Sequence, residues 1–87
     1  MKAVVLTGPC EASEMKVSEI PVPKARPGWI LVKEHAAGLN HSEALLRLFE
    51  IGNDYIQKPI VPGIECVGEV EDPSDSGLAK GDKVVAL

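Results

Sequence analysis

The residues of this chain that could do chemistry fall mainly in two short runs, Asn40-His41-Ser42-Glu43 and Pro62-Gly63-Ile64-Glu65-Cys66. Zinc is held by three or four Cys, His or carboxylate ligands at recurring spacings. No Cys-x-x-Cys and no His-x-x-x-His occurs here, and the two histidines, His35 and His41, belong to different segments. A metal site of His41, Glu65 and Cys66 requires the fold to bring them together; otherwise they are unrelated. Ser42 beside His41 is not a nucleophile–base pair, because adjacent helix residues point in different directions. Glu65 follows a Pro-Gly turn on a segment with one apolar face, so it is either solvated or aimed into a cleft. Gly63 and Gly68 lack the third glycine of a dinucleotide fingerprint, and they open no helix.

These residues depend on a few short elements. Ala3 to Leu6 is an apolar run ended by Gly8-Pro9, which predicts a strand and a turn. Met15 to Val22 predicts a strand that Pro21 and Pro23 confine to a sheet edge. Trp29 to Ala37 reads as a strand after the Pro27-Gly28 turn. One helix is expected, from Asn40 to Gly52. Asn40 is a good N-cap, with Glu43 placed to reach back to the cap amide and Leu39 spaced to staple onto Ala44. Leu45, Leu48, Phe49 and Gly52 share one face of it, and Glu43 and Arg47 are spaced to pair. Ile64 to Glu71 alternates like a half-buried strand, with Cys66, Gly68 and Val70 on one side and Glu65, Val67 and Glu69 on the other. Lys83 to Leu87 is a last strand. Ending inside an apolar strand predicts a longer protein, or a domain that takes a strand from a partner.

Composition narrows the classes. The chain has 87 residues, 45% hydrophobic and 25% charged, which fits one globular domain or part of one. Its net charge of −4 and few aromatics (Trp29, Phe49 and Tyr55) argue against nucleic acid as a partner. No apolar run approaches the roughly 20 residues that span a bilayer, so no membrane partner is expected. With no secretory signal pattern and two widely spaced cysteines, Cys10 and Cys66, the expectation is a cytoplasmic protein with reduced thiols.

The order of motifs resembles a known family. Ala36-Ala37-Gly38-Leu39-Asn40-His41-Ser42-Glu43 is followed by Pro62-Gly63-Ile64-Glu65-Cys66-Val67-Gly68-Glu69-Val70 and then Gly81-Asp82-Lys83-Val84. Together with Met1-Lys2-Ala3-Val4-Val5 and Pro27-Gly28-Trp29-Ile30-Leu31-Val32-Lys33, this is similar to the N-terminal part of the medium-chain dehydrogenase/reductase superfamily. The resemblance implies a mainly-β, GroES-like distorted barrel over residues 1–87, with one short helix and incomplete at its C-terminus. A Rossmann domain absent from this chain would carry NADP(H) or NAD(H).

Zinc-dependent members place a Cys ligand where this chain has Asn40 and a His ligand where it has Ile64. An amide and an alkyl group replace neither. The run Asn40-x-x-Glu43-x-x-x-Arg47 is instead similar to the zinc-free quinone oxidoreductase branch, which reduces quinones or conjugated carbonyls. The resemblance implies catalytic roles for Asn40, Ser42 and Glu65, and cofactor contacts for Asn40 and His41. It implies a substrate cleft bordered by Leu45 and Tyr55, and no metal ligand. Leu45 departs from the tyrosine often found there. The isolated chain is expected to be inactive, and a homodimer through the exposed edge strand is expected. The alternatives are a stand-alone GroES-like binding or assembly module, and a fragment of a zinc-dependent alcohol dehydrogenase.

Overall fold

A computed structural model describes all 87 residues. They form two compact units, one made of Met1–Pro21 with Leu39–Gly63 and the other of Val22–Gly38 with Ile64–Leu87. The expected mainly-β architecture with a single short α-helix is present, and its strands hydrogen-bond into two separate sheets.

In the first unit, β1 (Lys2–Val4) pairs antiparallel with β2 (Val17–Glu19), setting Val4 opposite Val17. β2 is shorter than the strand expected over Met15 to Val22 and stops at Glu19, ahead of Pro21, whose nitrogen carries no donor for a ladder. Leu6, expected inside β1, instead makes a lone bridge with Ile60 through two backbone hydrogen bonds of 2.8 and 2.9 Å. Leu6 and Ile51 are the buried centre of this unit.

The helix α1 runs from His41 to Leu48 with Asn40 as its N-cap, in extended conformation. Asn40 and Glu43 form the expected capping box, in which the Glu43 carboxylate accepts the Asn40 N–H. Three local expectations fail. Leu39 is 96% exposed, so it does not staple onto Ala44. α1 stops at Leu48, and the chain tightens into a 3-10 turn over Glu50–Gly52. That tightening buries Ile51 completely and leaves Phe49 exposed, because burial of one large aliphatic decides the path of the last turn. Glu43 and Arg47 do not pair either. Glu43 serves the cap, and Arg47 Nη1 donates to the Cys10 carbonyl at 2.9 Å. Cys10 N–H donates back to the Arg47 carbonyl at 3.2 Å. Peptide groups partly out of water outcompete a surface ion pair that is worth well under about 1 kcal/mol.

In the second unit, β3 (Leu31–Ala37), β4 (Cys66–Asp72) and β5 (Lys83–Ala86) form an antiparallel sheet in the order β3-β4-β5. Val70 is its buried centre, and Gly68 beside it is also buried. A Cβ on Gly68 would run into the Lys33 carbonyl, with Val32 Cγ1 only 3.0 Å away, so β3 and β4 approach too closely there for any side chain. The pairing slips between Glu34 and Ala36, a bulge that leaves His35 without a register partner. Trp29, expected in the strand, stays in the turn before it. Gly28 takes a left-handed φ of 84° and donates its N–H to Asp75 Oδ1 at 2.9 Å. Exposed Trp29 has the Arg26 guanidinium over its ring, 4.5 Å from the ring centre. β5 is an edge strand, as expected.

Candidate functional site

The first unit gathers three of the expected site residues at the start of α1. Extended φ and ψ at Asn40 turn the chain into the helix, and the capping box holds that entry. Asn40 is half-buried, while His41 and Ser42 are exposed in the first turn. Backbone N–H groups at a helix start have no partner in their own helix, and the helix dipole is positive there. The Glu43 carboxylate takes up part of that positive end.

Leu45 lies one turn further along, 40% exposed. Tyr55 is 81% exposed on the loop after the 3-10 turn, and Asn53 Nδ2 donates to its hydroxyl at 3.1 Å. Lys58 Nζ ties the same loop by donating to the carbonyls of Asn53 and Ile56 at 3.1 and 3.0 Å. Tyr55 is therefore presented on an ordered, self-bonded loop.

The second unit holds Glu65, one residue before β4 begins. It is half-buried, and its carboxylate lies against Gly38, one residue beyond the end of β3. A pocket of about 360 Å³ opens beside it, lined by Ala36, Ala37, Gly38, Cys66, Val67, Val85 and Leu87. Glu65 carries the one carboxylate side chain among these apolar walls. Gly38 and the flanking alanines carry no reactive group, so a search for reactive types passes over them. The signal available in sequence is the small-residue run Ala36-Ala37-Gly38. Ile64 is 60% exposed, an aliphatic placed at the surface before the strand.

Further along the same sheet, His35 Nε2 lies 3.9 Å from Glu69 Oε2, and Lys83 is the cross-strand partner of Glu69. No group of three His, Cys, Asp or Glu side chains is gathered that could hold a metal ion. His41 belongs to the first unit, and Glu65 and Cys66 to the second. Both cysteines are free thiols. No helix is long and apolar enough to cross a membrane.

Comparison with known proteins gives a consistent picture. The alcohol dehydrogenase GroES-like domain pattern matches residues 26–87. The synaptic vesicle membrane protein VAT-1 homolog-like of Mus musculus is 36% identical over 89 residues, covering 100% of this chain and 21% of that protein. A trans-enoyl reductase of Botryotinia fuckeliana is 35% identical, covering 100% of this chain and 23% of its own length. A mycobacterial quinone oxidoreductase of known structure superposes with a TM-score of 0.83 at 26% identity, over 98% of this chain and 27% of that one. The chain thus spans about a fifth to a quarter of these relatives.

Proposed function

The chain belongs to the alcohol dehydrogenase GroES-like domain family, and from that membership we propose that it is the catalytic-domain portion of a zinc-independent, NAD(P)H-dependent reductase of quinones or conjugated carbonyls. The observation that carries the proposal is Asn40 at the entry to α1. It puts an amide where zinc-dependent members carry a thiolate ligand, and Ile64 puts an alkyl group where they carry an imidazole. Neither replaces the ligand it stands for, so this donor set does not fit a catalytic zinc. The quinone and enoyl reductases among the similar proteins support the same choice of substrate class.

A bound nicotinamide would supply the hydride. This chain would supply orientation and polarisation. The Asn40 side chain takes part in the helix cap, and its amide is of the donor type that polarises a substrate carbonyl oxygen. His41 and Ser42, exposed at the positive end of α1, suit the phosphates and polar groups of a dinucleotide. Leu45 and Tyr55 would border the substrate, and the family resemblance gives Glu65 a catalytic role. We place the protein in the cytoplasm, where Cys10 and Cys66 stay reduced.

The test is an assay of the protein in the longest form its gene encodes, with NADPH or NADH and either a benzoquinone or an α,β-unsaturated ketone, with and without a zinc chelator. Turnover that survives chelation is expected. Dependence on stoichiometric zinc, or no oxidation of either nucleotide, overturns the proposal.

A further inference from the structure

Gly38 and Glu65 compete for one volume in the second unit. A Cβ on Gly38 would stand far inside van der Waals contact with Glu65 Oε1, 2.7 Å from Cδ and 3.0 Å from Cγ. The left-handed glycines of this chain are Gly28, Gly63, Gly77 and Gly81, and Gly38 is not among them. The φ at 38 therefore does not itself require glycine, and the space does. The pairing explains the closeness. Ala37 and Cys66 are cross-strand partners at the ends of β3 and β4. The next residue outward on each strand is Gly38 or Glu65, and the Glu65 side chain folds back over Gly38.

We infer that Gly38 is a positioning residue for Glu65: the missing side chain at 38 is the seat that sets the direction of the one carboxylate side chain on the pocket lined by Ala36, Ala37, Cys66, Val67 and Val85. The consequence for catalysis rests on the reductase proposal above, but the seat itself does not. A methyl group at 38 displaces the flexible end of Glu65 and leaves the strands in place. Gly68 differs, because the atoms a Cβ would meet there include the Lys33 backbone.

The experiment is NMR on the 87-residue chain with 13C-labelled glutamate, without nucleotide or substrate, so its outcome is independent of the reductase assay. The wild-type chain is expected to show NOEs from the Gly38 Hα protons to Glu65 Hγ. In Gly38→Ala the NOEs from residue 38 disappear and the Glu65 Cδ resonance moves, while the amide shifts of β4 and β5 stay near wild type. In a Glu65→Ala background, Gly38→Ala then leaves the unfolding midpoint unchanged. Absence of the wild-type NOEs overturns the inference, as does a Glu65 Cδ resonance unmoved in Gly38→Ala. If Gly38→Ala alone does not fold, the double variant decides. Recovery of a folded double variant supports the seat, and failure to recover rejects it.

Discussion

The carboxylate of Glu43 accepts the backbone N–H of Asn40, so the residue proposed to polarise a substrate also starts the only α-helix of the chain. One side chain then serves two roles that ordinary alanine substitution removes together. The capping role explains why an asparagine can be present without any catalysis, and the donor role needs a variant that separates the two.

Asn40→Asp makes that separation. Aspartate caps as well as asparagine but has no side-chain N–H to donate. We expect Asn40→Asp to keep the unfolding midpoint near wild type and Asn40→Ala to lose about 1 kcal/mol. Both should lower kcat of the longest gene product by about 100-fold or more, the scale of one lost donor to a developing oxyanion. Unchanged kcat in Asn40→Asp removes Asn40 from the chemistry.

Gly68→Ala and Gly8→Ala test close approach in opposite senses. A Cβ at Gly68 meets the Lys33 carbonyl, whereas one at Gly8 meets nothing within 4 Å. Urea unfolding should show Gly68→Ala destabilised by about 1–3 kcal/mol, the scale of overpacking. Gly8→Ala should be neutral or stabilised by up to about 1 kcal/mol. Equal effects at the two positions would contradict the β3–β4 geometry.

Arg47 should act through Cys10 and not through Glu43. Arg47→Met keeps the apolar stem and loses the hydrogen bond to the Cys10 carbonyl, at a cost of about 1–2 kcal/mol. Combined with Glu43→Gln in a double-mutant cycle, the coupling energy should stay within about 0.5 kcal/mol of zero. A clearly favourable coupling would restore the helix-surface pair expected from their spacing.

Asp75 gives a pH dependence. The Gly28 N–H is the main group holding its carboxyl below the ordinary aspartate range, with smaller help from its own backbone and the Ser74 hydroxyl. The folded chain therefore binds this proton less readily than the unfolded one. Stability from Asp75 is fully present above the unfolded value and is lost as pH falls through the lowered folded value. Chemical unfolding of wild type and Asp75→Ala should differ at neutral pH and converge in acid, once the pH is below the lowered folded value. A gap that persists in acid would assign the difference to something other than the ionised carboxylate.

Local sequence announced the strands and the helix, and a few of their boundaries. Asn40 and Glu43 announce the start of α1 because capping is settled within four residues. The alternation around Gly68 and Val70 announces a half-buried β4 for an equally local reason, whereas the strand expected through Pro21 to Val22 stops at Glu19. Family motifs pointed to the GroES-like fold because they combine such local signals in order.

Tertiary structure decided which of several equivalent apolar or charged residues is used. Ile51 is buried and Phe49 exposed, although the helical face favoured Phe49. Arg47 serves Cys10, a residue distant in sequence, and Leu39 points to water. The seat at Gly38 exists only because Ala37 and Cys66 pair across two strands far apart in the chain. A one-residue change of register would send Glu65 to the other face. Short-range rules see backbone preference and periodicity, but competition for the same volume or the same hydrogen bond is settled only when distant segments meet.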